Sequence, residues 1–169
     1  MRKIPICKVC AKTGVLCSSC DSKLQSGEVS QLEIDISKEL LELEKKFTNL
    51  KNVSLYKVIE KDDLIVLIVG KGDLNYFKGD HSKIRWILQE EYNKNIRIIE
   101  KSKNPKKVLE DLISPIPVLG INQIYLPTGE IENKARVSEK DFERLSIDVK
   151  VLEDIIHSLT GTAIRIVFE

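Results

Sequence analysis

Two stretches of this chain match each other without a gap when one is shifted by 68 residues. The shift moves Ile96-Arg97-Ile98 onto Ile164-Arg165-Ile166, and it moves the apolar positions of one predicted helix onto those of another. Chance could align one helix in this way, but it would rarely align two helices, a strand and the order of the elements together. We therefore predict an internal duplication, in which two small related units follow one another along the 169 residues.

Hydrophobic periodicity predicts the order α-β-β-α-α-β in each unit. The predicted elements of the first unit are a helix over 29–47, strands over 53–60 and 64–69 in a hairpin, a short helix over 73–77, a polar loop over 78–83, a helix ending near Asn93 and a strand over 96–99. Those of the second unit are a helix over 104–113, strands over 118–125 and 130–137, a short helix around Phe142, a longer helix around 152–159 and a strand over 163–168. This pattern predicts an α+β fold with two three-stranded sheets, each backed by helices.

All four cysteines of the chain lie within its first twenty residues: Cys7, Cys10, Cys17 and Cys20. Two CxxC pairs this close together predict one metal site, because each turn presents two thiolates and two turns complete a tetrahedron. Structural Zn²⁺ fits this spacing, whereas iron–sulfur clusters use other spacings and disulfides suit an oxidising compartment. Four thiolates leave no open coordination position, so a catalytic zinc is not expected. The polar residues 21–30 that follow read as a linker.

The charged residues of the chain almost balance, with a formal net charge of +1 at pH 7. Any surface for nucleic acid must therefore be local. Residues 71–107 hold ten basic and five acidic residues, whereas residues 128–169 hold six and nine, so the first unit is the basic one. The start of the chain lacks the apolar run of a signal peptide, and the longest apolar run, 64–69, has the length of a strand. We expect a cytoplasmic protein with no membrane partner.

The predicted order of elements resembles that of the type II KH domain. Three segments of the first unit are similar to the core of the archaeal NusA-like proteins, which carry tandem KH domains and bind RNA: Gly70-Lys71-Gly72-Asp73-Leu74, Phe77 to Lys83, and Ile96-Arg97-Ile98-Ile99-Glu100. The cysteine cluster is similar to the zinc element that some members add. The resemblance therefore implies a zinc knuckle over 1–27, a first KH-like domain over 28–101 and a second, degenerate KH-like domain over 102–169.

A KH domain holds nucleic acid with a GxxG loop, whose small residues let the RNA backbone approach the start of a helix. The corresponding residues here are Gly79-Asp80-His81-Ser82, in which Ser82 replaces the second glycine and Asp80 adds a negative charge. The second unit has Ile147-Asp148-Val149-Lys150 at these positions and no glycine. The resemblance implies contacts with single-stranded RNA at eight residues: Lys71, Lys78, Gly79, Asp80, His81, Ser82, Lys83 and Arg85.

The first functional hypothesis is an RNA-binding protein that acts in transcription elongation or termination, or in associated RNA handling. RNA polymerase or ribosomal components would be further partners. The alternative is a protein-interaction scaffold of the transcription or translation machinery, in which degenerate KH units no longer bind RNA. A third hypothesis is a DNA-binding regulator that reads DNA with the knuckle, although the sequence offers no recognition helix. No nucleophile–base constellation or nucleotide-binding motif is present, so we expect neither an enzyme nor a small-molecule substrate.

Overall fold

From residue 31 onward, the helices and strands follow the predicted order in a computed structural model that describes residues 1–169. The chain divides into two compact units, residues 1–100 and residues 101–169. Each unit contains one three-stranded sheet, so the predicted α+β class and the two predicted sheets are confirmed. None of the helices combines the length and the apolar character that crossing a membrane requires.

The first unit begins with two short helices, and a CxxC pair lies at the start of each. A longer helix follows them and precedes the sheet. Its helices and strands are α1 (Lys8–Thr13), α2 (Ser18–Gln25), α3 (Gln31–Glu44), β1 (Leu55–Lys61), β2 (Leu64–Val69), α4 (Lys83–Tyr92) and β3 (Asn95–Glu100). Its 3₁₀ helices are Thr48–Asn52, Asp73–Phe77 and Gly79–Ser82. Ser30 caps α3 by accepting a hydrogen bond from the Glu33 amide at 3.1 Å, which explains why this helix begins after Ser30.

The second unit has the same order of elements without the cysteine segment. It comprises α5 (Pro105–Ile113), β4 (Val118–Tyr125), β5 (Ile131–Val137), a 3₁₀ helix (Glu139–Arg144), α6 (Val149–Thr160) and β6 (Ile164–Phe168). Asn104 caps α5 and Asp148 caps α6, each by accepting a hydrogen bond from a backbone amide of the first turn. The apolar faces of these two helices are buried, which gives the unit its own core.

The parallel strand pairs of the two sheets have the same register. In the first unit β2 runs parallel to β3, with Ile65 opposite Ile96. In the second unit β5 runs parallel to β6, with Asn133 opposite Ile164. The shift of 68 residues moves both members of the first pair onto the second pair, which is the result that the predicted duplication requires.

A β-bulge at the same place in both antiparallel pairs also supports the duplication. The register slips directly after Leu55 in β1 and directly after Val118 in β4. Leu55 lies opposite Val69, and Val118 lies opposite Val137. Because the same shift moves Val69 onto Val137, the two bulges occupy equivalent positions, as expected for features retained within a family of related units.

The cysteine segment packs into the core of the first unit. Its buried side chains belong to the same hydrophobic cluster as α3, the sheet and α4: Met1, Ile4, Ile6, Cys10, Ala11 and Cys20. A backbone bridge also joins Lys3 to Ser54, directly before β1. Burial of these apolar side chains therefore stabilises the segment, in addition to any interaction that its four cysteines make with one another.

The predicted linker over 21–30 is wrong in its first half, because residues 21–25 lie in α2. This helix continues from the second cysteine pair, and its polar sequence gave no apolar period from which to predict it. Only residues 26–30 connect it to α3, and Val29 within them is buried. Likewise, the predicted polar loop over 78–83 contains a 3₁₀ turn and the first residue of α4.

Candidate metal centre and basic loop

The four cysteine sulfurs lie together at one end of the first unit. Each Sγ atom is within 4.8 Å of the other three. Cys7 precedes α1 and Cys17 precedes α2, so each CxxC pair spans the first turn of a short helix. Cys10 and Cys20 are buried, while Cys7 and Cys17 are exposed. The sequence-predicted ligands are thus all brought to one place.

Backbone amides donate hydrogen bonds to the sulfurs within and between the two cysteine pairs. The Cys10 amide donates to Cys7 Sγ at 3.4 Å. The Cys17 amide donates to Cys10 Sγ at 3.1 Å, and the Cys7 amide donates to Cys20 Sγ at 3.4 Å. Such donors stabilise thiolate charge and orient the sulfur atoms, as the outer-shell hydrogen bonds of metal sites do.

The spacing of the sulfurs fits one four-coordinate metal ion. Bonds of about 2.3 Å in a tetrahedron place sulfurs about 3.8 Å apart. The separation between Cys7 Sγ and Cys10 Sγ is 3.0 Å, and no two of the four sulfurs are more than 4.8 Å apart, so all four are close enough to bind one ion. All four cysteines are free thiols rather than disulfides. The N-terminal cysteines therefore form a candidate metal centre with four soft donors and no open position.

The thiols of the cluster differ in acidity because of the hydrogen bonds between them. The contact between Cys7 and Cys10 lowers the pKa of Cys7 and raises the pKa of Cys10 to about 12. The backbone amide of Cys20 lowers the pKa of Cys17 to about 7. The Cys7 amide favours the thiolate of Cys20, but burial and the Cys17 thiol raise the pKa of Cys20 overall. The pKa values of Cys7 and Cys17 are therefore lowered, and those of Cys10 and Cys20 are raised.

Binding of a metal ion at pH 8 should release at least about two protons, because the ion requires four thiolates and the pKa values of Cys10 and Cys20 are raised without it. Titration calorimetry with Zn²⁺ in two buffers of different ionisation enthalpy measures this release. The measured heats should differ between the buffers by at least about twice the difference between the two buffer ionisation enthalpies, per ion bound. Heats that do not depend on the buffer would show that the cysteines are not the ligands.

The candidate RNA contacts lie on one exposed segment of the first unit, residues 71–85, which we call the basic loop. The 3₁₀ helix Asp73–Phe77 and the turn Gly79–Ser82 lead directly into α4. Gly79 has a φ of 64°, a backbone conformation that favours glycine. Seven of the eight predicted RNA contacts are exposed: Lys71, Lys78, Gly79, Asp80, Ser82, Lys83 and Arg85.

His81, the eighth predicted contact, is half-buried and attached to the body of the unit. Its Nε2 atom accepts a hydrogen bond from the Asn49 amide at 3.2 Å. Its ring meets the Phe47 ring edge to face, with 5.3 Å between the centroids. Ser82 Oγ donates to the Gly79 carbonyl at 2.7 Å and closes the turn from within. His81 and Ser82 therefore hold the basic loop in place.

One further charged residue, Arg97, and one exposed ring, Trp86, adjoin the predicted contact Arg85. Arg97 in β3 is half-buried, and burial lowers its pKa, with a further lowering by the positive charge of Arg85. The two guanidinium groups thus act on each other electrostatically. Trp86 follows Arg85 in α4 and is 61% exposed. A polar residue between the apolar Ile96 and Ile98 was the one sequence feature that could have indicated Arg97.

The corresponding segment of the second unit is built differently. Ile147, at the position of Gly79, is buried. Asp148, at the position of Asp80, caps α6 by accepting a hydrogen bond from the Lys150 amide at 2.8 Å. Where the first unit has an exposed glycine turn, the second has the buried Ile147 and the helix cap Asp148. This segment therefore offers no open loop for a phosphate.

Comparisons with known proteins give the fold and no function. No family model and no curated protein matches the chain. A solved structure described as the crystal structure of APE1850 is similar, with 21% sequence identity and a TM-score of 0.51. The match covers 75% of this chain and 96% of that one. At this identity the likeness shows a shared fold alone.

Proposed function

We propose that this chain is an RNA-binding protein with two tandem type II KH-like units and resembles the archaeal NusA-like factors. Its place of action would be the cytoplasm, in transcription elongation or termination or in associated RNA handling. The observation that carries the proposal is the exposed basic loop, which joins a glycine turn to the start of α4 in the first unit.

The chemistry of the basic loop suits a phosphate backbone. Neither the turn Gly79–Ser82 nor α4 has a side-chain cap at its start, so no capping side chain competes with a phosphate for the amides there. Lys78 and Lys83 flank this turn and are exposed. They outnumber the single carboxylate of Asp80, and Arg85 adds a third positive charge on the first turn of α4.

We further propose that the cysteine cluster binds one structural Zn²⁺ ion. The donor set of four thiolates suits Zn²⁺, and closed sites of this kind stabilise structure rather than catalyse reactions. Cys10 and Cys20 would link the ion directly to the core cluster of the first unit. In this arrangement the ion fixes the cysteine segment as a part of the first unit, and the segment does not itself bind DNA.

Replacing both lysines of the turn should weaken RNA binding and its dependence on salt. We expect the variant Lys78→Gln/Lys83→Gln to bind single-stranded RNA at least about tenfold more weakly at low salt, because two phosphate contacts are lost. The slope of log K against log salt should fall by about 1.4, at about 0.7 for each contact. Fluorescence anisotropy with a labelled single-stranded RNA at several salt concentrations measures both quantities.

The matched control is Lys140→Gln/Lys150→Gln, which removes the same charge from exposed positions of the second unit. This control should bind RNA as the unchanged protein does. Equal losses in the two variants would mean that RNA responds to total charge rather than to the basic loop. Absence of RNA binding by the unchanged protein at low salt would contradict the proposal.

The second candidate function is a protein-interaction scaffold of the transcription or translation machinery. It is favoured by the exposed carboxylate of Asp80 within the turn and by the closed segment around Ile147 in the second unit. RNA polymerase or ribosomal components would then be the partners. Their co-purification with this chain after nuclease treatment, combined with no RNA binding by the isolated protein, would favour the scaffold over the RNA-binding protein.

A further inference from the structure

The second unit exposes an aromatic groove beside its short 3₁₀ helix. The Phe142 side chain is 54% exposed. It meets the Phe168 ring edge to face, with 4.9 Å between the centroids and 84° between the ring planes. Phe142 lines two open grooves of about 490 and about 640 Å³. We refer to these two grooves together as the Phe142 groove.

The rim of the Phe142 groove is mainly acidic. Glu139, Glu143 and Asp148 line it and are exposed. Lys140 is the one basic residue among the lining side chains. The nearby Arg144 is engaged by Asp141, with 2.7 Å between its Nη1 and the carboxylate. The groove thus combines an exposed aromatic floor with more negative than positive charge.

The internal duplication supplies a comparison for this groove. The shift of 68 residues moves Lys71 onto Glu139, so a basic residue is replaced by an acidic one. It also moves Asn75 onto Glu143. Leu74, which is half-buried in the first unit, is moved onto the exposed Phe142. Residues 71–80 hold two basic and two acidic residues, whereas residues 139–148 hold two basic and four acidic ones. This part of the second unit is therefore the more acidic, and only there is an aromatic ring exposed.

We propose that the Phe142 groove binds a basic segment of a partner protein that carries an apolar anchor side chain. The anchor packs against Phe142 and Phe168, and basic side chains next to it pair with Glu139 and Glu143. An aromatic centre with a charged rim is the arrangement in which a few residues supply most of the binding energy. Charge complementarity selects a basic peptide over RNA, because the rim repels phosphate. This proposal does not depend on RNA binding by the first unit.

The test uses the full chain and four fluorescein-labelled peptides: alternating Lys and Leu, Lys and Ser, Glu and Leu, and Glu and Ser. We expect the Lys–Leu peptide to bind with a micromolar Kd and the other three to bind at least about tenfold more weakly. Phe142→Ala and the double variant Glu139→Lys/Glu143→Lys should each weaken binding of the Lys–Leu peptide about tenfold. All three substitutions are at exposed positions, so the variants should fold.

Two matched controls lie on the same unit away from the groove. Tyr125→Ala removes a ring that is 75% exposed, and Glu130→Lys reverses an exposed acid. Both should leave peptide affinity unchanged. Equal effects of control and groove variants, or preference for the Glu–Leu peptide, would overturn the proposal. Concentration-dependent self-association that Phe142→Ala abolishes would assign the groove to a second copy of this chain. RNA affinity lost in the groove variants, with peptide binding unaffected, would assign it to RNA.

Discussion

Removal of the metal by a strong chelator should lower the melting temperature of the first unit by at least about 12 °C. Structural Zn²⁺ contributes about 10–16 kcal/mol of apparent binding free energy in isolated zinc-finger peptides. Here the cysteine segment also has apolar contacts with the core cluster, so a part of its structure persists without metal. We therefore expect the free energy of unfolding to fall by at least about 3 kcal/mol, at about 4–8 °C for each kcal/mol.

Calorimetry with and without chelator measures this change, and elemental analysis of the purified protein should find about one zinc per chain. The variant Cys10→Ser should lose both the metal and the chelator response, because Cys10 is a proposed ligand and is buried. Ser18→Ala, an exposed change between the ligands, is the matched control and should keep both. A melting temperature that does not respond to chelator, in protein without bound metal, would contradict the metal centre.

The second large effect is expected for the variant Asp73→Ala, whose free energy of unfolding should be about 2 kcal/mol lower than that of the unchanged protein. Its buried carboxylate oxygen Oδ2 accepts hydrogen bonds from the Ser54 amide at 2.9 Å and from the Gly70 amide at 3.0 Å. The Gly70 amide also donates to the Ser54 carbonyl, so the variant leaves the Ser54 amide without an acceptor. These bonds tie the start of the basic loop to the strands of the sheet.

Chemical denaturation of three variants tests the role of Asp73. Asp73→Asn should cost less than Asp73→Ala, because both bonds go to one oxygen that an amide side chain also provides. Asp141→Ala is the matched control in the second unit, where the equivalent carboxylate pairs with the exposed guanidinium of Arg144, and it should cost less than Asp73→Ala. Equal losses in all three variants would refute the specific role of Asp73.

The tight packing at Gly70 is the structural reason for a glycine at this position, and the sequence alone did not give it. A β-carbon at Gly70 would lie 2.5 Å from Asp73 Oδ2, so the close approach of the carboxylate requires glycine. In the sequence, Gly70-Lys71-Gly72-Asp73 belonged to a segment similar to the NusA-like core, and that resemblance gave no reason for the first glycine. Long-range hydrogen bonds such as the one to Ser54 have no local signature, and they appear only in the folded chain.

The sheets were predictable because their periodicity is strong, and the cysteine cluster was predictable because its spacing is specific. By contrast, α2 was not predicted, because Cys20 is its one buried residue and its polar face gives no period. The role of His81 was also hidden, since its partners Phe47 and Asn49 lie more than thirty residues earlier in the chain. The Phe142 groove could not be predicted, because the sequence pattern placed Phe142 at a core position and the structure exposes it.

Mapping by nuclear magnetic resonance of a single-stranded RNA titrated into the full chain tests the central claim most directly. We predict that the largest amide shifts occur in residues 78–86 of the basic loop and α4, with Arg97 among the affected residues. The corresponding residues 146–154 of the second unit should change little. Shifts that concentrate in the second unit, or amide spectra that do not change with RNA at low salt, would contradict the account.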